Sequence, residues 1–488
     1  MVATIYGLLP ASDPHPNMPA TETRSFAPAT PSAIQHRGEE RSNDIRRRLA
    51  AVEPHALRTY TPSLAVIDKS AGCYHWTPEG RMLADFSSGV LVANLGHNPA
   101  RWWNRLLSYL GLQALADGGE FCRAVPLTAY NAVTEIETLA SERLIASLQA
   151  EPGGARCEQV LWAASGSEAI QKALWAALDR RPAADVILAT RRGFHGKKGL
   201  AGAVTGTEQD PERDRRVRFL SFPMEECLDV ARRKQPIDLG PYERELESLR
   251  NEFGDRICAL ITEPYLGGGG SFHPQPEYLQ LLQRFCRAHD IVFILDEVQA
   301  NFGRTGSLYA FTHYGLEPDI VVLGKGLGNG VAVSAAVGSA ELFAAMHYGE
   351  ASDTWSANPL SSAAVLATLD EFESPEADVL GHARKLAAVL EEGLLRLVDT
   401  GAVAHVRGEG VVWGIECAAV GNRSAADVAN ACVVACYLGD ASGKAIHLLG
   451  PLAGKVLRVS PPLVMPLEEA RDYLAAMHRI FASVARGR

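Results

Sequence analysis

The chain of 488 residues predicts an α/β protein, with a large domain on a mostly parallel sheet wrapped by helices and a smaller, discontinuous α+β domain. Three observations carry that prediction. After Pro152-Gly-Gly154 short apolar runs alternate with helical stretches, the pattern of βαβ units. The runs Ile291-Val-Phe-Ile-Leu295 and Ile320-Val-Val-Leu323 are apolar at every position, as strands buried on both faces are. Beyond Asn358-Pro359 the alternation stops, and two long helical stretches precede three strands.

In chain order, residues 1–42 are rich in Pro, Ala, Ser and Thr and lack sustained periodicity, so they predict a flexible arm. From Asn43 the spacing of Ile45, Leu49 and Val52 predicts a helix. Ala65-Val-Ile67 and Cys73-Tyr-His-Trp76 read as strands, with Pro78-Glu-Gly80 as a turn. Helices are expected over 100–116 and 129–148, the second presenting Val133, Ile136, Leu139, Leu144 and Leu148 on one face. Large-domain strands fall at 159–161, 186–189, 217–219, 257–261, 291–295, 320–323 and 335–338. Helices over 360–372 and 378–397 and strands at 403–407, 411–416 and 456–459 follow. Segment 43–98 is then the N-terminal part of the small domain, 99–355 the large domain and 356–488 the rest of the small one.

Composition narrows the function classes. Lys and Arg number 47 against 57 Asp and Glu, a net charge of -10, and no basic cluster is interleaved with aromatics, so nucleic acid is not an expected partner. No apolar run approaches the roughly 18 residues that span a bilayer, and a basic leader with an apolar core is absent; the expectation is a cytoplasmic protein without a membrane partner. Nine cysteines without a C-x-x-C pair read as reduced, mostly buried thiols rather than metal or disulfide frameworks.

The chemistry gathers at strand ends. Asp296 closes one apolar run, and Gly324-Lys325-Gly326 closes another. Ligands of open α/β sheets bind at the carboxyl ends of strands, and an acid beside an amine there suits pyridoxal phosphate. A carboxylate keeps that cofactor's pyridine nitrogen protonated, and a lysine holds its aldehyde as an imine. Each residue alone also reads as a turn-forming Asp or a solvated Lys. Ala164-Ser-Gly-Ser-Glu-Ala169 opens a helix and offers either an anion site on backbone N–H groups or plain N-capping. Phe194, on a glycine-flanked turn, can lie against a planar ring. Glu263-Pro264 and Gly267-Gly-Gly-Gly270 mark either close approach to a ligand or a surface loop. Thr354 and Arg458 by themselves pass as turn and surface residues.

In their order these pieces resemble the class III pyridoxal-phosphate aminotransferases of fold type I. The resemblance runs from about Tyr60 to Leu463 through Gly80…Asp85…Gly96-His97, Ser165-Gly-Ser-Glu-Ala169, Phe194-His-Gly196, Glu263-Pro264, Asp296-Glu-Val-Gln299, Gly303-Arg-Thr-Gly306, Gly324-Lys-Gly326, Thr354…Asn358-Pro359 and Pro461-Pro-Leu463. It implies that Lys325 forms the imine and shuttles the proton, that Asp296 pairs with the pyridine nitrogen and that Gln299 bonds the phenolic oxygen. It further implies that Phe194 and Val298 sandwich the ring, that Gly166 and Ser167 offer N–H groups to the phosphate and that Glu263 supports the ring-side network. Thr354 is implied to reach the phosphate of a neighbouring subunit, hence a homodimer with shared active sites.

The implied reaction moves an amino group from an amine or amino-acid donor to a keto-acid acceptor. Similar proteins also racemise, shift an amino group within one molecule or decarboxylate. The ornithine and 4-aminobutyrate branches carry a glutamate, paired with the arginine matching Arg458, where this chain has Gly268. The ornithine branch also has a tyrosine where this chain has Val90. An apolar or β/ω-amino donor is therefore expected, with Arg458 receiving an acid substrate's carboxylate and Val90 at the pocket mouth. A nucleotide-binding oxidoreductase is disfavoured because no G-x-G-x-x-G follows an early strand, and neither G-x-S-x-G nor H-E-x-x-H occurs.

Overall fold

Strand alternation on both faces of one sheet sets the architecture. The computed structural model describes residues 34–57, 59–112, 122–129, 132–206 and 214–487. Strands β1 (Lys69–Ala71), β2 (Tyr74–Trp76) and β3 (Met82–Asp85) precede the seven of the large sheet: β4 (Gln159–Ala163), β5 (Val186–Thr190), β6 (Val217–Leu220), β7 (Ile257–Thr262), β8 (Val292–Asp296), β9 (Ile320–Leu323) and β10 (Ser334–Gly338). Strands β11 (Val403–Glu409), β12 (Val412–Cys417), β13 (Ile446–His447) and β14 (Val456–Val459) follow.

The large sheet has the order β4-β10-β9-β8-β7-β5-β6. Neighbours from β9 to β6 are parallel, and β10 runs antiparallel to both β9 and β4. Along β8 and β9, Ile294, Ile320 and Val322 pack with the helix Gly166–Arg180 on one face, whereas Phe293, Leu295, Val321 and Leu323 join the larger core on the other. Both faces are thus covered, which is why these runs carry no polar residue before their ends.

Strand β13 pairs in parallel with β3, joining residues near 84 to residues near 446, while β11-β12-β14 form a separate antiparallel sheet.

Several local expectations need correction. Residues 65–67 form no strand; the pairing starts at Lys69, where β1 meets β2. The helix Ala100–Leu110 stops at Gly111, whose φ of 70° ends it in the left-handed region; the end expected at 116 lies outside the described residues. The next helix is Glu135–Gln149, capped at extended Thr134 with Glu135 and Glu137 in its first turn, so Val133 precedes it and is 85% exposed.

Of the expected arm, residues 1–33 lie outside the described residues, and the helix Glu40–Val52 begins inside the remainder. That helix docks by polar contacts rather than by its apolar spacing. Ile45 and Val52 are exposed, while Arg46 is buried against Glu39 at 2.8 Å and Ser42 Oγ donates to Glu79 at 2.6 Å. Among the described residues, no helix is long and apolar enough to cross a membrane. Eight of the nine cysteines are buried as thiols, and Cys122 is exposed.

Candidate active site

Because β5, β7, β8 and β9 are parallel neighbours, their carboxyl ends lie along one edge of the sheet. The Phe194 loop, Glu263, Asp296 and Lys325 follow these four ends, and the helix starting at Gly166 follows β4. Residues far apart in sequence meet there by topology alone.

Lys325 follows Gly324 at the end of β9 and adopts φ 47°, a left-handed conformation uncommon for a non-glycine residue. No hydrogen bond or ion pair to its Nζ forms among the described residues. Burial lowers its pKa from 10.5 to about 8, with Asp296 and Glu263 opposing the fall and Arg458 adding to it. A partly neutral amine at physiological pH is what an imine-forming lysine requires.

Asp296 is buried and doubly held: Oδ2 accepts from His195 Nδ1 at 2.7 Å, and Oδ1 accepts from the Val298 N–H at 3.0 Å. Glu263 accepts from the Phe194 N–H at 2.8 Å and the Gly267 N–H at 3.1 Å, locking the Phe194 turn to the glycine run. Burial raises the Glu263 pKa to about 7; His195 and the two N–H donors pull it down, and Asp296 reinforces the rise.

The helix start is capped as one reading of its sequence has it, and the cap leaves donors free for the other. Ser165 and Glu168 form a capping box, with the Glu168 N–H donating to Ser165 Oγ at 3.3 Å and the Ser165 N–H to Glu168 Oε2 at 3.1 Å. That leaves the N–H groups of Gly166 and Ser167 without a partner among the described residues. Glycines keep this corner open. A Cβ on Gly166 would lie 3.2 Å from Val298 Cγ1, and one on Gly196 would lie 2.4 Å from Ser167 Oγ.

Arg458, on β14, is not a surface residue: it is 7% exposed, and its Nη1 donates to Gln299 Oε1 at 3.0 Å. Burial lowers its pKa, against the pull of Tyr265 and Glu263. Its Nε is buried without a partner, an unused donor in the site. Gly268 abuts Phe194, since a Cβ there would lie 2.9 Å from Phe194 Cβ. A glutamate at 268 therefore requires a shift of backbone or ring.

Thr354 is exposed on the loop after residue 350, and Val90 is 40% exposed in the turn Ser88–Leu91. Sequence reasoning passed over His195, which backs Asp296, although it lies within the quoted Phe194-His195-Gly196. It also missed Tyr265, whose hydroxyl donates to the Gln299 carbonyl at 3.1 Å, and Glu297, which accepts from the N–H groups of Ala310 and Phe311 at 2.7 and 2.6 Å. A histidine beside an aromatic was the only local signal among them.

An acid locked to a strand end, an unpartnered amine and a glycine-opened helix start with two available N–H groups fit pyridoxal phosphate. The family model described as "Aminotransferase class-III" matches residues 56–481. An acetylornithine aminotransferase of Gloeobacter violaceus is 30% identical over 441 residues, covering 88% of this chain and 97% of that protein. A leucine/methionine racemase of Thermococcus litoralis is 30% identical over 472 residues, covering 92% and 97%. The structure of an amine transaminase from an uncultivated Pseudomonas species, in its PLP-bound form, superposes with a TM-score of 0.73 at 26% identity, covering 89% of this chain and 97% of that one. The chain belongs to the class III aminotransferase family. Its cofactor is pyridoxal phosphate, and its reaction carries an amino group from an amine or amino-acid donor to a keto-acid acceptor.

Proposed function

We propose a cytoplasmic, homodimeric aminotransferase whose donor is an apolar or β/ω-amino compound and whose keto-acid acceptor is held by Arg458. The observation that carries this reading is the buried Arg458–Gln299 contact. When bound, the cofactor supplies the electron sink that stabilises negative charge at the donor carbon.

In this reading Lys325 Nζ takes the proton from the donor carbon and returns it on the other side of the transfer, its lowered pKa making it both base and acid near neutral pH. Asp296, oriented by His195, faces the pyridine nitrogen. The N–H groups of Gly166 and Ser167 would hold the phosphate and Phe194 and Val298 would hold the ring, while Glu263 fixes the Phe194 turn. Gln299 uses its Oε1 for Arg458, which leaves its amide hydrogens for the phenolic oxygen. Thr354, exposed in its own chain, completes the phosphate site of the neighbouring subunit.

Among the described residues Arg458 has no carboxylate partner, only a neutral amide, so an acid substrate displaces a weak contact rather than an ion pair. The absence of glutamate at 268 supports the same reading, and sets this chain apart from an ornithine-type enzyme.

A panel of amine donors against pyruvate and 2-oxoglutarate tests it. Arg458→Ala raises KM for acids by about ten-fold or more, as loss of a charged hydrogen bond predicts, and spares amines without a carboxylate. Unchanged kinetics with every acid would remove Arg458 from the reading. A preference for ornithine would remove the roles given to Gly268 and Val90. Given the racemase among its relatives, turnover is also measured without acceptor, where none is expected.

A further inference from the structure

On the face of the small β1-β2-β3-β13 sheet, away from Lys325 in sequence and mechanism, three side chains with metal-binding atoms converge, with His447 beside them. His75 stands across from Leu83 in the β2–β3 ladder and so shares a face with Asp85; His447 stands directly across from Asp85 in the β3–β13 ladder. His97 arrives from the following loop, fixed by paired backbone hydrogen bonds with Gly72 at 2.8 and 2.9 Å. Asp85 Oδ2 lies 2.7 Å from His97 Nε2 and 3.5 Å from His75 Nε2, and the three ligand atoms fall within 4.8 Å of one another. Asp85 is fully buried, and among the described residues no Lys or Arg forms an ion pair with it.

We propose that His75, Asp85 and His97 form a binding site for a divalent transition metal of the zinc class. Two imidazoles and one carboxylate oxygen are a zinc donor set, and ligand atoms about 3.3 Å apart are what a tetrahedral ion with bonds of about 2.0–2.1 Å requires.

Three further features fit. Ser70 Oγ lies 2.6 Å from His75 Nδ1, an outer contact that leaves Nε2 pointing at Asp85. His447 Nδ1 is buried with no hydrogen-bond partner, and its ring meets that of His75 edge-on at 5.2 Å. Asp85 Oδ1 is already saturated by the Ser87 N–H at 2.8 Å and Ser87 Oγ at 2.7 Å, so Oδ2 alone faces the histidines. A cavity of ≈ 310 Å³ lined by Ser88, Gly89, Gly96 and His97 gives an ion access.

The site has a structural consequence. Ser87 Oγ caps the turn Ser88–Leu91, whose four residues hold φ of 49°, 57°, 69° and 62°. A metal on Oδ2 stiffens the carboxylate that anchors this turn through Oδ1, and with it the segment that carries Val90.

The test uses untagged holoenzyme, stripped with a chelator and dialysed against Zn²⁺, with bound metal measured by elemental analysis and unfolding followed by temperature. Wild type is expected to retain one Zn²⁺ per chain at this cluster and to gain thermal stability on adding it. His75→Gln and His97→Gln lose retention by about ten-fold or more. Ser70→Ala, which keeps every ligand and so guards against a variant that fails to fold, weakens binding by about ten-fold. A wild type that retains no Zn²⁺ overturns the proposal, because the cluster then binds protons only. Equal retention by wild type, His75→Gln, His97→Gln and Ser70→Ala overturns it as well.

Discussion

A lysine held partly neutral costs the cofactor-free fold stability. The native Lys325 pKa of about 8 lies below the ordinary 10.5, so the native state binds this proton less tightly than the unfolded chain does. The destabilisation is full below pH about 8 and disappears as pH rises to about 10.5. Lys325→Met in the cofactor-free chain is therefore expected to abolish turnover yet stabilise the fold by up to about 3 kcal/mol near pH 7, with the gain shrinking near pH 10 in urea titrations. An equal gain at both pH values would show that the amine is not what burial strains. At Asp296 the constraint is a hydrogen-bond direction. Asp296→Asn places an N–H opposite His195 Nδ1, forcing the ring's proton onto Nε2, which is buried without a partner. The variant is expected to fold and to lose about 10²-fold or more in rate, measured at saturating cofactor. A near-normal rate would mean that something other than a carboxylate holds the ring nitrogen.

Among the elements, the turn Ser88–Leu91 is the strained one. A β-branched residue at φ 69° is unfavourable by about 1–2 kcal/mol, and exposed Val90 recovers little of that by packing. Val90→Gly relieves the clash but gives the unfolded chain more freedom, for a net gain of about 0.5–1 kcal/mol in denaturant titrations. The same variant is expected to raise KM for apolar donors while leaving amines with polar side chains unaffected. The helix Gly166–Arg180 shows a second element-scale economy: Ser165 and Glu168 satisfy the donors behind its first turn, so capping leaves the Gly166 and Ser167 N–H groups available to an anion.

For the whole molecule, the decisive expectation is shared sites. Thr354 lies exposed in its own chain, whereas Lys325 lies at the sheet edge. Mixing Lys325→Ala with Thr354→Ala subunits is expected to yield heterodimers in which one site has both residues intact, with activity recovered above either parent. Sedimentation checks the mass, and an active monomer would contradict the reading. Pairing of β3 with β13 closes a loop of more than three hundred and fifty residues, an entropic cost that favours late formation of that sheet.

The central strands β5, β7, β8 and β9 were legible because both of their faces are buried, and apolar runs are how that burial is written, whereas the outer β4 and β6 are partly exposed and carry Gln159 and Arg218. Asp296, Glu263 and Lys325 were readable as candidates for a related reason, since each lies at or within two residues of the end of such a run and strand ends are where polar chemistry can begin. Where a helix docks by polar contacts, as Glu40–Val52 does through Arg46 and Ser42, apolar periodicity carried no information and pointed to the wrong face. Pairings across the chain were equally silent. His195 against Asp296, Arg458 against Gln299, and His75, His97 and His447 around Asp85 arise from strand order and register, which no local window contains. An arginine in Leu457-Arg458-Val459 reads as surface until β14 folds it against the pocket, because burial of a charge is decided by what packs around it and not by its neighbours in sequence.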